Sequence, residues 1–132
     1  MRAILDSGPL IALWRDGEEH AAWAENIFQE FSGPFYVTEA ILTEVGHLTG
    51  MDKEIIAGLK TGRFIIEGTM RDDLATIERC CKKYSHCDLA DASIIALSER
   101  HPKLKVITTD RRHFATYRRK DGSQLPLILP TP

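Results

Sequence analysis

Residues 3–13 read Ala3-Ile4-Leu5-Asp6-Ser7-Gly8-Pro9-Leu10-Ile11-Ala12-Leu13. Three apolar residues, too few for a helix, end at a carboxylate, and Ser-Gly-Pro then opens a second apolar run. The pattern predicts a buried strand over 3–5 and a helix with Ser7 as N-cap and Pro9 in its first turn. That helix runs to Trp14 and stops near Gly17. A short strand apolar throughout and followed at once by a helix is the unit from which parallel α/β sheets are built.

The same alternation continues along the chain. A helix is expected over 18–31, where Ala22, Trp23, Ile27, Phe28 and Phe31 recur at helical spacing, until Ser32-Gly33-Pro34 breaks it. Phe35-Tyr36-Val37 reads as a strand, and Thr38 caps a helix over 38–48. A helix over 52–61 ends at Gly62, a strand follows over 63–66, and 71–84 is helical with Leu74, Ile77 and Cys81 on one stripe. The next helix begins at Asp88 and ends before His101-Pro102. Lys105-Val106-Ile107-Thr108 is a strand leading to Thr109 and Asp110, and Leu127-Ile128-Leu129 is a last short one. The expected fold is a single three-layer α/β domain over 1–132, with a central, mainly parallel sheet of four to five strands flanked by helices. Residues 120–132 read as a partly irregular tail.

With 132 residues the chain suffices for one domain with a core of its own. The formal charge of −2 is uninformative until the chain is divided. Residues 1–99 hold 9 Lys or Arg against 17 Asp or Glu, a balance of −8, whereas 100–132 hold 8 against 2, a balance of +6. An acidic body with a basic C-terminal third is compatible with a polyanionic partner. Cys80, Cys81 and Cys87 form neither a disulfide framework nor a zinc spacing, which points to a reducing cytoplasm. Asp6 interrupts any signal-peptide core, and no apolar run reaches membrane-spanning length.

Carboxylates fall where a parallel sheet presents its ligands, at the C-terminal ends of strands. Asp6 ends the first strand and Asp110 follows the fourth. Glu44, flanked by Ile41 and Leu48 at i−3 and i+4, shares part of an apolar stripe and is expected to be half-buried, where a cation would be a suitable partner. Asp88 and Asp91 share one helix face; capping and the helix dipole also account for that pair. Asp91 leads into Ala92-Ser93-Ile94-Ile95-Ala96 and is expected to be the more buried of the two. Hard oxygen ligands from separate elements, with no matching His or Cys cluster, favour Mg²⁺ or Mn²⁺ over zinc. Such ions serve phosphodiester hydrolysis.

Four stretches in this order resemble the motifs of PIN domains: 5–13, Thr38 to Glu44-Val45, Asp88-Leu89-Ala90-Asp91-Ala92-Ser93-Ile94-Ile95-Ala96-Leu97, and Thr108-Thr109-Asp110-Arg111-Arg112-His113-Phe114. The resemblance covers nearly the whole chain and is greatest to the small VapC-type toxins. It implies a metal-dependent endoribonuclease in which Asp6, Glu44, Asp91 and Asp110 match the family's four acids. Asp88 matches an additional acid carried by some members. It also implies an RNA substrate, a homodimer and inhibition by a small antitoxin protein. Of the rival readings, a phosphoacceptor receiver domain lacks its paired acids after the first strand, since Asp6 is followed by Ser7; a PIN nuclease of housekeeping RNA processing and a non-catalytic PIN-like RNA-binding module stay open.

Neighbouring residues have supporting roles open to them. Ser7 and Thr109 adjoin ligand candidates and could hydrogen-bond a carboxylate, although ordinary capping and turn chemistry explains them equally well. Arg111 and Arg112, directly after Asp110, are expected to contact RNA phosphates, with a solvated charged face as the alternative. Trp14, Trp23, Phe28, Phe31 and Phe35 are read as core or dimer packing.

Overall fold

A computed structural model describes residues 2–132. Strand β1 (Ala3–Leu5) is buried at every position and passes directly into helix α1 (Ser7–Trp14). Asp6, not Ser7, occupies the N-cap position of α1, because Ser7 is already helical. Its side chain makes no capping hydrogen bond. Helix α2 (Ala21–Glu30) begins three residues later than its apolar spacing suggests. After Gly17, which adopts a positive φ of 79°, a turn closes through Ala21 N–H to the Glu18 carbonyl.

Strand β2 (Phe35–Val37) is again buried throughout. Helix α3 (Glu39–Thr49) starts as its sequence predicts, with the Thr38 hydroxyl accepting from the Ile41 N–H. Leu48, expected on the apolar stripe beside Glu44, is instead 42% exposed, since it lies in the last turn. Helix α4 (Asp52–Thr61) leads to strand β3 (Phe64–Ile66). Helix α5 (Leu74–Lys83) is shorter than the stretch 71–84. A turn organised by Thr69, whose hydroxyl accepts from Asp72 N–H and whose carbonyl accepts from Asp73 N–H, takes up the preceding residues.

Helix α6 (Leu89–Arg100) is buried continuously from Ala92 to Ser98. It shows little amphipathic character because it has no solvent face over that stretch. It packs on β1 and β2 and against α3 and α5. Strand β4 (Val106–Ile107), helix α7 (Arg111–Phe114) and strand β5 (Leu127–Ile128) complete the chain. The one-turn helix α7 was not legible as an element. The expected last strand forms, one residue shorter than 127–129, and pairs with β4, and Leu125 and Pro130 on either side are buried.

All five strands are parallel, in the order β3-β2-β1-β4-β5. The chain works outward from β1 to β3, then returns across the sheet through α5 and α6 to β4. The direction of connection therefore reverses between β1 and β4, the position where open α/β sheets leave a crevice for ligands. The residues leaving those two strands are Asp6 and, after Thr108 and Thr109, Asp110.

Candidate active site

Asp6 is 5% exposed and is tied to β4 by its own N–H, which donates to the Ile107 carbonyl at 3.0 Å. Its Oδ2 accepts from the Thr108 hydroxyl at 2.6 Å. The same hydroxyl accepts from the Asp110 N–H at 3.0 Å. A single Thr108 side chain thus joins the two strand ends that carry carboxylates. Gly8 permits this approach: a Cβ there would stand 2.0 Å from Thr109 Oγ1, 3.1 Å from its Cβ and 3.3 Å from its Cγ2.

Asp91 comes from the first turn of α6, where Asp88 is the N-cap and accepts from the Asp91 N–H at 2.8 Å. Asp91 Oδ2 accepts from the Tyr117 hydroxyl at 2.6 Å, and Tyr117 is fully buried. Glu44 projects from α3 and is half-buried. Helix α3 is fixed against α6 by the hydrogen bond between the Thr38 and Ser93 hydroxyls, 2.8 Å. Asp110 caps α7, its Oδ1 accepting from the His113 N–H and its Oδ2 facing His113 Nδ1, each at 3.0 Å.

These carboxylates sense one another. Burial raises the Asp6 carboxyl from 3.8 to about 7, opposed by the Thr108 hydroxyl and the Ser7 N–H and reinforced by the negative charges of Asp91 and Glu44. Burial likewise raises Asp91 to about 6, against the Tyr117 hydrogen bond and with repulsion from Asp88 and Asp110. Five acids, four from strand or helix ends and Glu44 from the middle of α3, therefore form one electrostatic group. Among the described residues no three His, Cys, Asp or Glu side chains are already drawn in tightly enough to grip one ion. The donors still suit a hard divalent cation: they are carboxylate oxygens, and the two innermost are disfavoured as anions by burial and mutual repulsion that a cation would relieve.

A model of the PIN domain matches residues 3–120. The chain belongs to the PIN domain family. It is also 26% identical to Ribonuclease VapC26 of Mycobacterium tuberculosis over 134 aligned positions, covering 95% of this chain and 98% of that protein.

Within this PIN domain the sequence-derived residues divide by surroundings. Asp6, Glu44 and Asp91 are brought together, with Asp88 and Asp110 about Asp91. Ser7 contributes its backbone N–H to Asp6. The hydroxyl on Asp6 is that of Thr108, one residue before the Thr109 expected, because Thr109 packs on Gly8 instead. Arg111 reaches away to the Pro130 carbonyl at 2.8 Å and holds the tail, while Arg112 is exposed. Thr108, Tyr117, Gly8 and His113 were not recognised as parts of the site's framework. Thr108 carries a readable signal, a hydroxyl at the end of a buried strand; Tyr117, in an irregular segment, carries none.

Proposed function

We propose that this PIN domain is a Mg²⁺- or Mn²⁺-dependent endoribonuclease, and that it acts as the toxin of a toxin–antitoxin pair. The burial of Asp6 at the crevice between β1 and β4, beside the charges of Asp91 and Glu44, carries the reading, because a buried carboxylate among other acids is stabilised by a cation. Similarity over nearly its full length to a protein named a ribonuclease favours RNA as the substrate. The motif resemblance to VapC-type toxins extends the reading to an antitoxin partner and a homodimer. Among the described residues no helix is long and apolar enough to cross a membrane, in keeping with a cytoplasmic role.

Asp6, Asp91 and Asp110 would hold the cation, with Asp88 as a further carboxylate and Glu44 as a ligand or as the base that orients the attacking water. A divalent ion at this position supplies Lewis-acid polarisation of the phosphate and makes water a better nucleophile near neutral pH. The chain supplies the rest. Thr108 and the Ser7 N–H hold Asp6 in one orientation, and Tyr117 holds Asp91. As the base, Glu44 would accept a proton from the attacking water, and no covalent enzyme intermediate is required. The purified protein should cleave RNA with Mn²⁺ or Mg²⁺, stop in EDTA, and lose activity as Asp6→Asn or Asp91→Asn; undiminished cleavage by those variants refutes the proposal. Growth arrest on induction, relieved by a co-expressed small neighbouring reading frame, separates a toxin from a housekeeping nuclease.

A further inference from the structure

Beside the carboxylates lies a cleft of about 370 Å³ between the end of α5, the loop before α6, and α7. Lys83, Tyr84, Ser85, His86, Arg112, His113 and Thr116 line it, with no acidic side chain among them. It adjoins the site directly, since His113 is the residue whose ring and N–H face Asp110. The His86 and His113 rings stack, with centroids 4.9 Å apart and planes 26° from parallel. His86 is exposed, so the stack ends in an accessible imidazole. Lys83 and Arg112 are exposed as well, and the Lys83 ammonium lies 5.4 Å from the Tyr84 ring centroid. Tyr84 itself is a fixed wall, packed edge-on against Tyr117 and accepting at its hydroxyl from the Arg118 N–H.

We propose that this cleft is a subsite for single-stranded RNA, with Lys83 and Arg112 contacting a backbone phosphate and the exposed face of His86 stacking on a base flanking the scissile bond. The inference rests on the ribonuclease reading and deepens it, because it gives the substrate a direction away from the carboxylates. Cations beside an open ring face are how proteins bind single strands without reading every base edge. The volume is that of a site for one small group, in the range of ligand pockets. A duplex could not present an unstacked base to His86, so the subsite selects unpaired RNA. Lys83 belongs to the chain's acidic body and reaches the cleft only through the fold.

The test is fluorescence anisotropy with a labelled single-stranded RNA and Mg²⁺, in an Asp91→Asn background that prevents cleavage. Lys83→Glu and Arg112→Glu should each weaken binding about tenfold and lower the slope of log Kd against log salt by about 0.7, the loss of one phosphate contact. Lys60→Glu, the same charge change on α4, should leave both unchanged. His86→Ala should weaken binding about fivefold, the lower end of a base-stacking contribution, without altering the salt slope. If Lys83→Glu and Lys60→Glu bind alike, or if a polyglutamate peptide displaces the RNA as well as unlabelled RNA does, the subsite is refuted. Wild-type cleavage is measured in parallel. Cleavage with binding indifferent to the cleft overturns the subsite alone, whereas cleft-dependent binding with no cleavage overturns the nuclease reading and leaves the subsite standing.

Discussion

Replacing Asp6 by asparagine should stabilise the metal-free protein while abolishing its activity. Asp6 is buried, and its carboxyl is raised from 3.8 to about 7. The native state therefore binds a proton between about pH 4 and pH 7 that the unfolded chain has released, so stability falls as pH rises through that window and levels off above it. At about 1.4 kcal/mol per pH unit, the cost of the ionised Asp6 at pH 8 is about 4 kcal/mol. Asparagine is isosteric, keeps an oxygen for the Thr108 hydroxyl and carries no charge. Its amide NH₂ must find an acceptor in a buried site, which takes back about 1–2 kcal/mol. The net gain is about 2–3 kcal/mol, or roughly 8–12 °C in Tm for a domain of this size.

Thermal unfolding in EDTA at pH 8 and at pH 4.5 reads this directly. Asp6→Asn should melt higher than wild type at pH 8, and most of the gap should close at pH 4.5, where the wild-type carboxyl is protonated. Saturating Mg²⁺ or Mn²⁺ should raise the melting temperature of wild type and not of the variant. If Asp6→Asn melts at or below wild type at pH 8, or the gap is independent of pH, burial and repulsion at Asp6 have been misjudged and the argument for a cation loses its footing.

Three other substitutions probe the framework. Thr108→Val preserves shape but removes the donor to Asp6 and the acceptor for the Asp110 N–H; it should cost about 1–3 kcal/mol in denaturant unfolding and weaken metal-dependent cleavage. Tyr117→Phe keeps the buried ring and deletes the hydrogen bond that lowers the Asp91 carboxyl. Cleavage should fall roughly tenfold, within the range for groups that orient metal ligands, and in the metal-free protein the Asp91 carboxyl should titrate above its wild-type value of about 6. Gly8→Ala, which inside an ordinary helix would stabilise by about 1 kcal/mol, should here destabilise by about 1–3 kcal/mol. Rotating Thr109 carries Oγ1 and Cγ2 together and leaves its Cβ 3.1 Å from the new methyl, so Thr109, next to Asp110, must give by a few tenths of an ångström; a higher Tm for Gly8→Ala would contradict the contact.

The strands β1 and β2 and the middle of helix α6, Ala92 to Ser98, were legible because they are buried on all sides, and near-continuous apolar runs report that condition directly. Their order in the sheet was not legible: nothing local distinguishes β3-β2-β1-β4-β5 from another parallel order, and it is this order that sets Asp6 beside Asp110. Four of the carboxylates could be found from their places at element ends, and Glu44 from its place on the apolar stripe of α3. The groups that hold them could not, because Thr108 reaches Asp6 across 102 residues and Tyr117 reaches Asp91 across 26. Element starts were misplaced where a side chain builds a competing turn, as Thr69 does ahead of α5.

The charge division along the chain counts cations without saying where the fold puts them. Of the basic residues after 99, Arg100 pairs with Asp73, Arg111 holds the Pro130 carbonyl, Arg118 holds the Ala115 and Tyr117 carbonyls, and Arg119 holds Ser98 and the Pro102 carbonyl. Four of the eight cations in that third are thus engaged, mostly by carbonyls of the third itself, with Arg100 and Arg119 reaching Asp73 and Ser98. A phosphate approaching the carboxylates meets Arg112 from that third and Lys83 from the acidic body, on two elements that sequence distance keeps apart. Net charge per segment measures supply. All of these charges act on a polyanion at long range, but which of them are free to touch a phosphate, and which are held by carbonyls or carboxylates, only the folded chain decides.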